Sequence, residues 1–193
     1  MTQAKKTRRM VESALMIAIA TVLSLPMLSI TGPWLNGGSV TLFSMLPICL
    51  IAYKYGVKWG LFTGFVHGAL QLVIGMDGLR GVSLMTFFGA IVLDYLLAYG
   101  VLGLAGLLRG KLKSDVAALT IGAFIATVAR FVCHFVSGFL LWGSLLDDGF
   151  GAVAFSFGYN IGYMGPEIII TTAGAAIMGA VLLKATHALE TAA

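Results

Sequence analysis

The chain has 193 residues, 59% hydrophobic and 10% charged, with a formal net charge of +4 and a mean hydropathy of +0.98. Soluble domains carry about 25% charged residues, so this chain has too few to coat a water-facing surface, which excludes a soluble globular fold. The positive balance does not indicate nucleic acid, because the basic residues sit at the ends of apolar runs, as they do beside membrane spans.

Residues 1–11 hold Lys5, Lys6, Arg8 and Arg9, a basic flank, and no cleavable signal peptide is expected behind it. A first span is predicted over residues 12–30, close to the ~20 residues that a bilayer core requires. Ala14 and Ala18 on that span form a small-xxx-small pair, which suits either packing inside the bundle or docking of another subunit. Gly, Pro and Asn mark residues 31–38 as a loop, in which Trp34 reads as an interfacial anchor or a lid. A short second span over 39–53 contains Pro47, expected to kink it.

The third span, 57–75, carries His67 and Gln71 one turn apart, suited to hydrogen bonds across helices. The fourth, 83–107, carries Asp94 and Tyr95 near its middle, and a basic loop follows at 109–113. The fifth, 115–142, is long enough to tilt, and an acidic turn at 147–149 follows it. The sixth, 151–184, exceeds the bilayer core, so it begins outside, tilts, or bends near Gly165 and Pro166. Cys49 and Cys133 lie in apolar segments and read as small buried hydrophobes.

The expected fold is therefore an all-α integral membrane protein: one domain over residues 1–193 with six transmembrane helices. An even number of spans puts both termini on one side. That side holds Lys5, Lys6, Arg8, Arg9, Lys54, Lys58, Arg109, Lys111, Lys113 and Lys184, ten of the 12 basic residues, whereas the opposite loops hold only Arg80. Loops rich in Lys and Arg stay inside, so both termini are read as cytoplasmic.

Within the membrane, Arg130, His134, Gly138 and Trp142 follow one another at steps of four, and therefore share one drifting helix face. An intramembrane guanidinium is costly and marks a functional-site hypothesis by default. Asp94 lies roughly 16 Å and Arg130 about 18 Å below the outer ends of their spans at 1.5 Å per residue, and Glu167 is placed at a similar depth. Phe155, Tyr159 and Asn160 stack above that level on the sixth span. The arrangement reads as an outward-opening pocket whose charged floor and aromatic walls favour a cation. A structural Asp94–Arg130 ion pair is the plainer reading, and the two are compatible if Arg130 orients Asp94. The sequence shows no phosphate-binding glycine loop, no metal-ligand spacing, no activated nucleophile and no inverted repeat. No cofactor or metal is expected, an enzyme has least support, and a binding subunit that works with a separate motor fits best.

At these residues the chain resembles the thiamine-specific substrate-binding (S) subunits of energy-coupling-factor (ECF) vitamin transporters, the ThiT/YuaJ group. The likeness runs through residues 93–98, 130–138, 151–156 with Tyr159 and Asn160, and more loosely through 37–40 and 53–58. It implies a six-helix fold with a thiamine pocket near the outer face. By resemblance the pocket's acid–Tyr pair falls on Asp94 and Tyr95, and its fifth-helix residues on Arg130, His134, Gly138 and Trp142. Its sixth-helix residues fall on Phe155 and Asn160, with Tyr159 nearby, and its loop Trp on Trp34. Asp94, Arg130 and Phe155 stand where one family member has Glu, Lys and Tyr. The resemblance also implies a transmembrane coupling protein and two cytoplasmic ATPases as partners, with Ala14 and Ala18 as the docking pair. Two other readings are carried: an S subunit for another vitamin or thiamine precursor, and an autonomous proton-coupled carrier of small cations.

Overall fold

Apolar runs fold as helices in a membrane because only an internally hydrogen-bonded backbone survives without water. The computed structural model describes residues 2–32, 38–142 and 149–191, with only the backbone described beyond residue 181. Its elements are α1 (Gln3–Leu23), β1 (Ser29–Thr31), β2 (Ser39–Thr41), α2 (Leu46–Tyr55), α3 (Val57–Gly75), α4 (Leu84–Gly106), α5 (Asp115–Trp142) and α6 (Gly149–Thr191). Among the described residues, 4 helical stretches are long and apolar enough to cross a membrane: Val57–Leu79, α4, α5 and Gly151–Val181 of α6.

The ends of these helices follow from local chemistry. Ser83 Oγ accepts the Thr86 N–H at 3.1 Å and Ser114 Oγ accepts the Ala117 N–H at 3.2 Å, which caps the starts of α4 and α5. Gly56, at φ +88°, makes the left-handed turn between α2 and α3 that a side chain would strain. α3 and α4 then approach closely, because methyl groups on Gly60, Gly64 or Gly68 would run into the α4 backbone at Gly103, Tyr99 and Tyr95. That contact fixes where Tyr95 and Tyr99 sit. The core lies around α2, whose Ile48, Cys49 and Ala52 are fully buried against Leu102 and Ala105 of α4 and Ala123 and Ala126 of α5.

Several expectations need correction. The fold is not wholly α: β1 and β2 pair antiparallel, Ser29 opposite Thr41 and Thr31 opposite Ser39. The three-residue strands are too short for their alternation to stand out in the sequence. The first helix starts inside the basic segment, at Gln3, and ends at Leu23, so residues 26–31 form a 3-10 turn and a strand and not the end of a span. The second span is a strand followed by a ten-residue helix. Pro47 does not kink that helix but stands in its first turn, where its missing N–H costs nothing. α6 stays helical through Pro166. The acidic turn lies largely outside the described residues. By contrast α3 and α5 have the predicted bounds.

Candidate functional site

A cavity of about 570 Å³ opens among the end of α1, the hairpin and helices α3 to α6. Two stretches of its wall are wound more widely than an α-helix: Ile91–Leu97 in α4 and Gly138–Trp142 in α5. Such π turns shift side chains out of the ordinary helical register and recur at functional sites. The first carries Asp94 and Tyr95, and the second carries Gly138 and Trp142.

Asp94 is held from α5. Its Oδ1 lies 2.9 Å from His134 Nδ1, and its Oδ2 accepts from Ser137 Oγ at 2.5 Å. His134 Nε2 in turn receives the Arg130 Nε–H at 3.3 Å. A guanidinium can only donate, so Nε2 must be the acceptor and the imidazole proton sits on Nδ1, facing Asp94. Both ring nitrogens are then occupied, which leaves His134 its ring face for a ligand. The Arg130 guanidinium carbon lies over the Tyr99 ring, 4.0 Å from its centroid. Among the described residues it forms no ion pair with Asp94, so the expected direct pair is replaced by a relay through His134. One helical turn separates Arg130 from His134, and the sequence alone could not say which of them meets Asp94.

Tyr95 OH donates to the Gly75 carbonyl at 3.3 Å, which ties α4 to the end of α3. On α3 itself, Gln71 Nε2 donates to Ser24 Oγ at 2.6 Å, and His67 Nδ1 lies 3.4 Å from Thr21 Oγ1. Both expected cross-helix bonds therefore run to α1. Opposite, Gly138 lets α6 come close: a methyl there would strike Ser156 Oγ and Asn160 Nδ2. Asn160 Nδ2 donates to the His134 carbonyl at 3.2 Å and the Ser156 carbonyl at 2.9 Å, while its Oδ1 accepts from Tyr163 OH at 2.7 Å. The Phe155 and Tyr159 rings lie 5.8 Å apart, and they and Trp142 complete the aromatic wall.

Asp94, Tyr95, Arg130, His134, Gly138, Trp142, Phe155, Tyr159 and Asn160 thus all line one cavity. Trp34 lies outside the described residues. Ala14 and Ala18 are exposed on α1, beside the exposed Met10, Leu15 and Val22, and not inside the bundle. Sequence reasoning missed Tyr99, Ser156, Tyr163 and Thr41 as wall residues, and Ser137 as the second donor to Asp94. Tyr99 stands four residues after Tyr95 and Ser137 three after His134, so the same spacing rule could have found them. Two carboxylates, Asp94 and Glu167, and one guanidinium face the cavity. The part-exposed Asp94 carboxylate, with aromatic faces around it, suits a flat cationic ligand that has polar edges. Among the described residues no three His, Cys, Asp or Glu side chains gather where a metal could sit.

Residues 10–187 match the model of a family described as thiamine transporter protein (Thia_YuaJ). The chain is 32% identical over 183 residues to the thiamine transporter ThiT of Bacillus subtilis (strain 168), covering 88% of this chain and 89% of that one. It is also 30% identical over 130 residues to the thiamine transporter ThiT of Lacticaseibacillus paracasei, covering 62% of this chain and 63% of that protein.

Proposed function

The chain belongs to the thiamine transporter protein (Thia_YuaJ) family, a family of transporters and not of enzymes, and from that premise we propose that it captures thiamine from outside the cell. It is a multi-pass protein of the bacterial cell membrane. In this reading the chain is a single domain of six spans with both termini cytoplasmic, and the cavity opens outward. Asp94 faces the thiazolium cation, Trp142, Tyr95 and the His134 ring hold the flat rings, and Asn160 meets the aminopyrimidine edge. Arg130 acts through His134 as an orienting group.

The observation that carries the proposal is the Asp94–His134–Arg130 relay that shares one cavity with aromatic side chains. A structural ion pair would need no such wall. Titrating purified protein with thiamine should quench its Trp fluorescence, and mass spectrometry of the released ligand should find thiamine. The separate pyrimidine and thiazole halves should compete less well than the whole molecule. Binding of either half at the affinity of thiamine would overturn thiamine in favour of a precursor.

Release inward then needs energy from elsewhere. A transmembrane coupling protein and two ATPases of the ECF type would supply it, docking on the α1 face that carries Ala14 and Ala18. Support comes from the exposure of both alanines on α1 among the described residues. Liposomes holding this chain alone should accumulate no thiamine under a pH gradient, whereas uptake there would favour a proton-coupled carrier.

A further inference from the structure

Glu167 follows Pro166 on α6, borders the cavity and is only 3% exposed. A carboxylate so deep in a membrane helix needs partners. Both of its bonds come from one residue at the end of β2. Oε1 accepts from the Thr41 N–H at 2.5 Å and from Thr41 Oγ1 at 2.6 Å. Because the Thr41 hydroxyl is spent on Glu167, the Ser44 hydroxyl 2.5 Å away must donate to it, which gives a chain from Ser44 through Thr41 to the carboxylate. Oε2 is closed to solvent and has no hydrogen-bond partner among the described residues. One oxygen is therefore occupied and the other is out of reach of a molecule in the cavity.

The same face of α6 holds the rest of this segment. A methyl on Gly38 would meet the Tyr163 ring, one turn before Glu167, and a methyl on Gly174, two turns after it, would meet the Phe43 ring. Phe43 itself sits at φ +64°, a left-handed conformation unfavourable for a bulky side chain, and it persists only if its surroundings hold it. Gly38, Ser39, Thr41 and Ser44 all line the cavity, so whatever fixes residues 38–44 fixes that wall.

We propose that Glu167 is a positioning residue: it fixes the β2 wall of the cavity through Thr41, and does not attract the ligand by its charge. The role in ligand retention rests on the thiamine-capture reading, whereas the hold on β2 does not. The test compares Glu167→Gln, Glu167→Ala and Thr41→Val in the full chain, by thiamine titration, by stopped-flow release, and by hydrogen–deuterium exchange of residues 39–41 without ligand. Gln keeps an acceptor of the same shape, so its affinity should stay within about three-fold of the parent. Ala should weaken binding roughly ten-fold and Thr41→Val about three-fold, mostly through faster release. Adding Thr41→Val to Glu167→Ala should change little further, because the hydroxyl bond that Val removes is already lost with Glu167. Exchange at 39–41 should rise with Ala and Thr41→Val and stay low with Gln.

A Gln variant as weak as Ala, with exchange at 39–41 unmoved, would overturn the proposal in favour of a direct charge effect. Wild-type release and exchange in Glu167→Ala would overturn it as well. Should Glu167→Ala not fold, Gln against Thr41→Val carries the same decision. If the parent chain ignores thiamine, the functional reading fails while the exchange measurements still decide the role of Glu167.

Discussion

The two carboxylates on the cavity wall answer the cost of intramembrane charge differently. Asp94 keeps 21% of its side chain exposed and receives donors from His134 and Ser137, one on each oxygen. Glu167 is sealed, with both donors on one oxygen and none on the other among the described residues. The first arrangement holds a charge in place while leaving it open to a guest, and the second uses the carboxylate to tie a strand to a helix. Intramembrane charge alone therefore does not identify a ligand contact. What separates the two is whether an oxygen can still be reached after the protein's own bonds are made.

That contrast is broken most sharply at Asp94. Asp94→Asn removes the charge that we propose faces the cation and upsets its two bonds, and losing one member of a buried charge pair costs about 2–5 kcal/mol. Thiamine affinity, measured by Trp quenching, should fall on the order of 100-fold. Equal affinities for the parent and Asp94→Asn would remove Asp94 from the ligand contacts. Next comes Gly138→Ala, whose methyl meets Ser156 and Asn160 and should cost about 1–3 kcal/mol by overpacking. It should lower both the melting midpoint and the affinity, and a fall in neither would show that α5 and α6 can move apart freely.

Arg130→Met should do less. It removes the stacking on Tyr99 and the donor to His134, and contacts of this kind contribute about 0.5–2 kcal/mol. Affinity should fall about ten-fold while the protein stays folded. A loss matching that of Asp94→Asn would mean that Arg130 touches the ligand and does not merely orient His134.

The sequence carried much of this because the step-of-four rule is a property of a single helix. Arg130, His134, Gly138 and Trp142 share a face whatever they pack against, and the turn and cap residues Gly56 and Ser114 mark the starts of α3 and α5. Contacts between helices were less legible. Asp94, which stands in the wide turn at Ile91–Leu97, meets His134 and not Arg130, and no spacing rule gives a signal for that turn. The hairpin was hidden for another reason: three-residue strands beside Gly and Pro look like loop. Without the hairpin, Glu167 read as a third charge on the pocket floor, since its partner Thr41 is 126 residues away in the chain.

A third carboxylate, outside the cavity, separates the number of bonds from their weight. Glu12 has more partners than either of the others: Arg8 Nε at 2.8 Å, Lys54 Nζ at 2.6 Å and Tyr55 OH at 2.6 Å, which join α1 to the end of α2. The side chains of Arg8 and Lys54 are 73% and 50% exposed, so water and salt screen both pairs. Glu12→Gln should therefore shift the melting midpoint by less than about 4 °C and leave thiamine affinity unchanged. The small shift should shrink further at high salt, because screening already weakens the pairs it removes. A loss of affinity comparable to that of Asp94→Asn would show that this end of α1 is coupled to the cavity. In that case the Gln71–Ser24 bond at the other end of α1 is the contact to cut next.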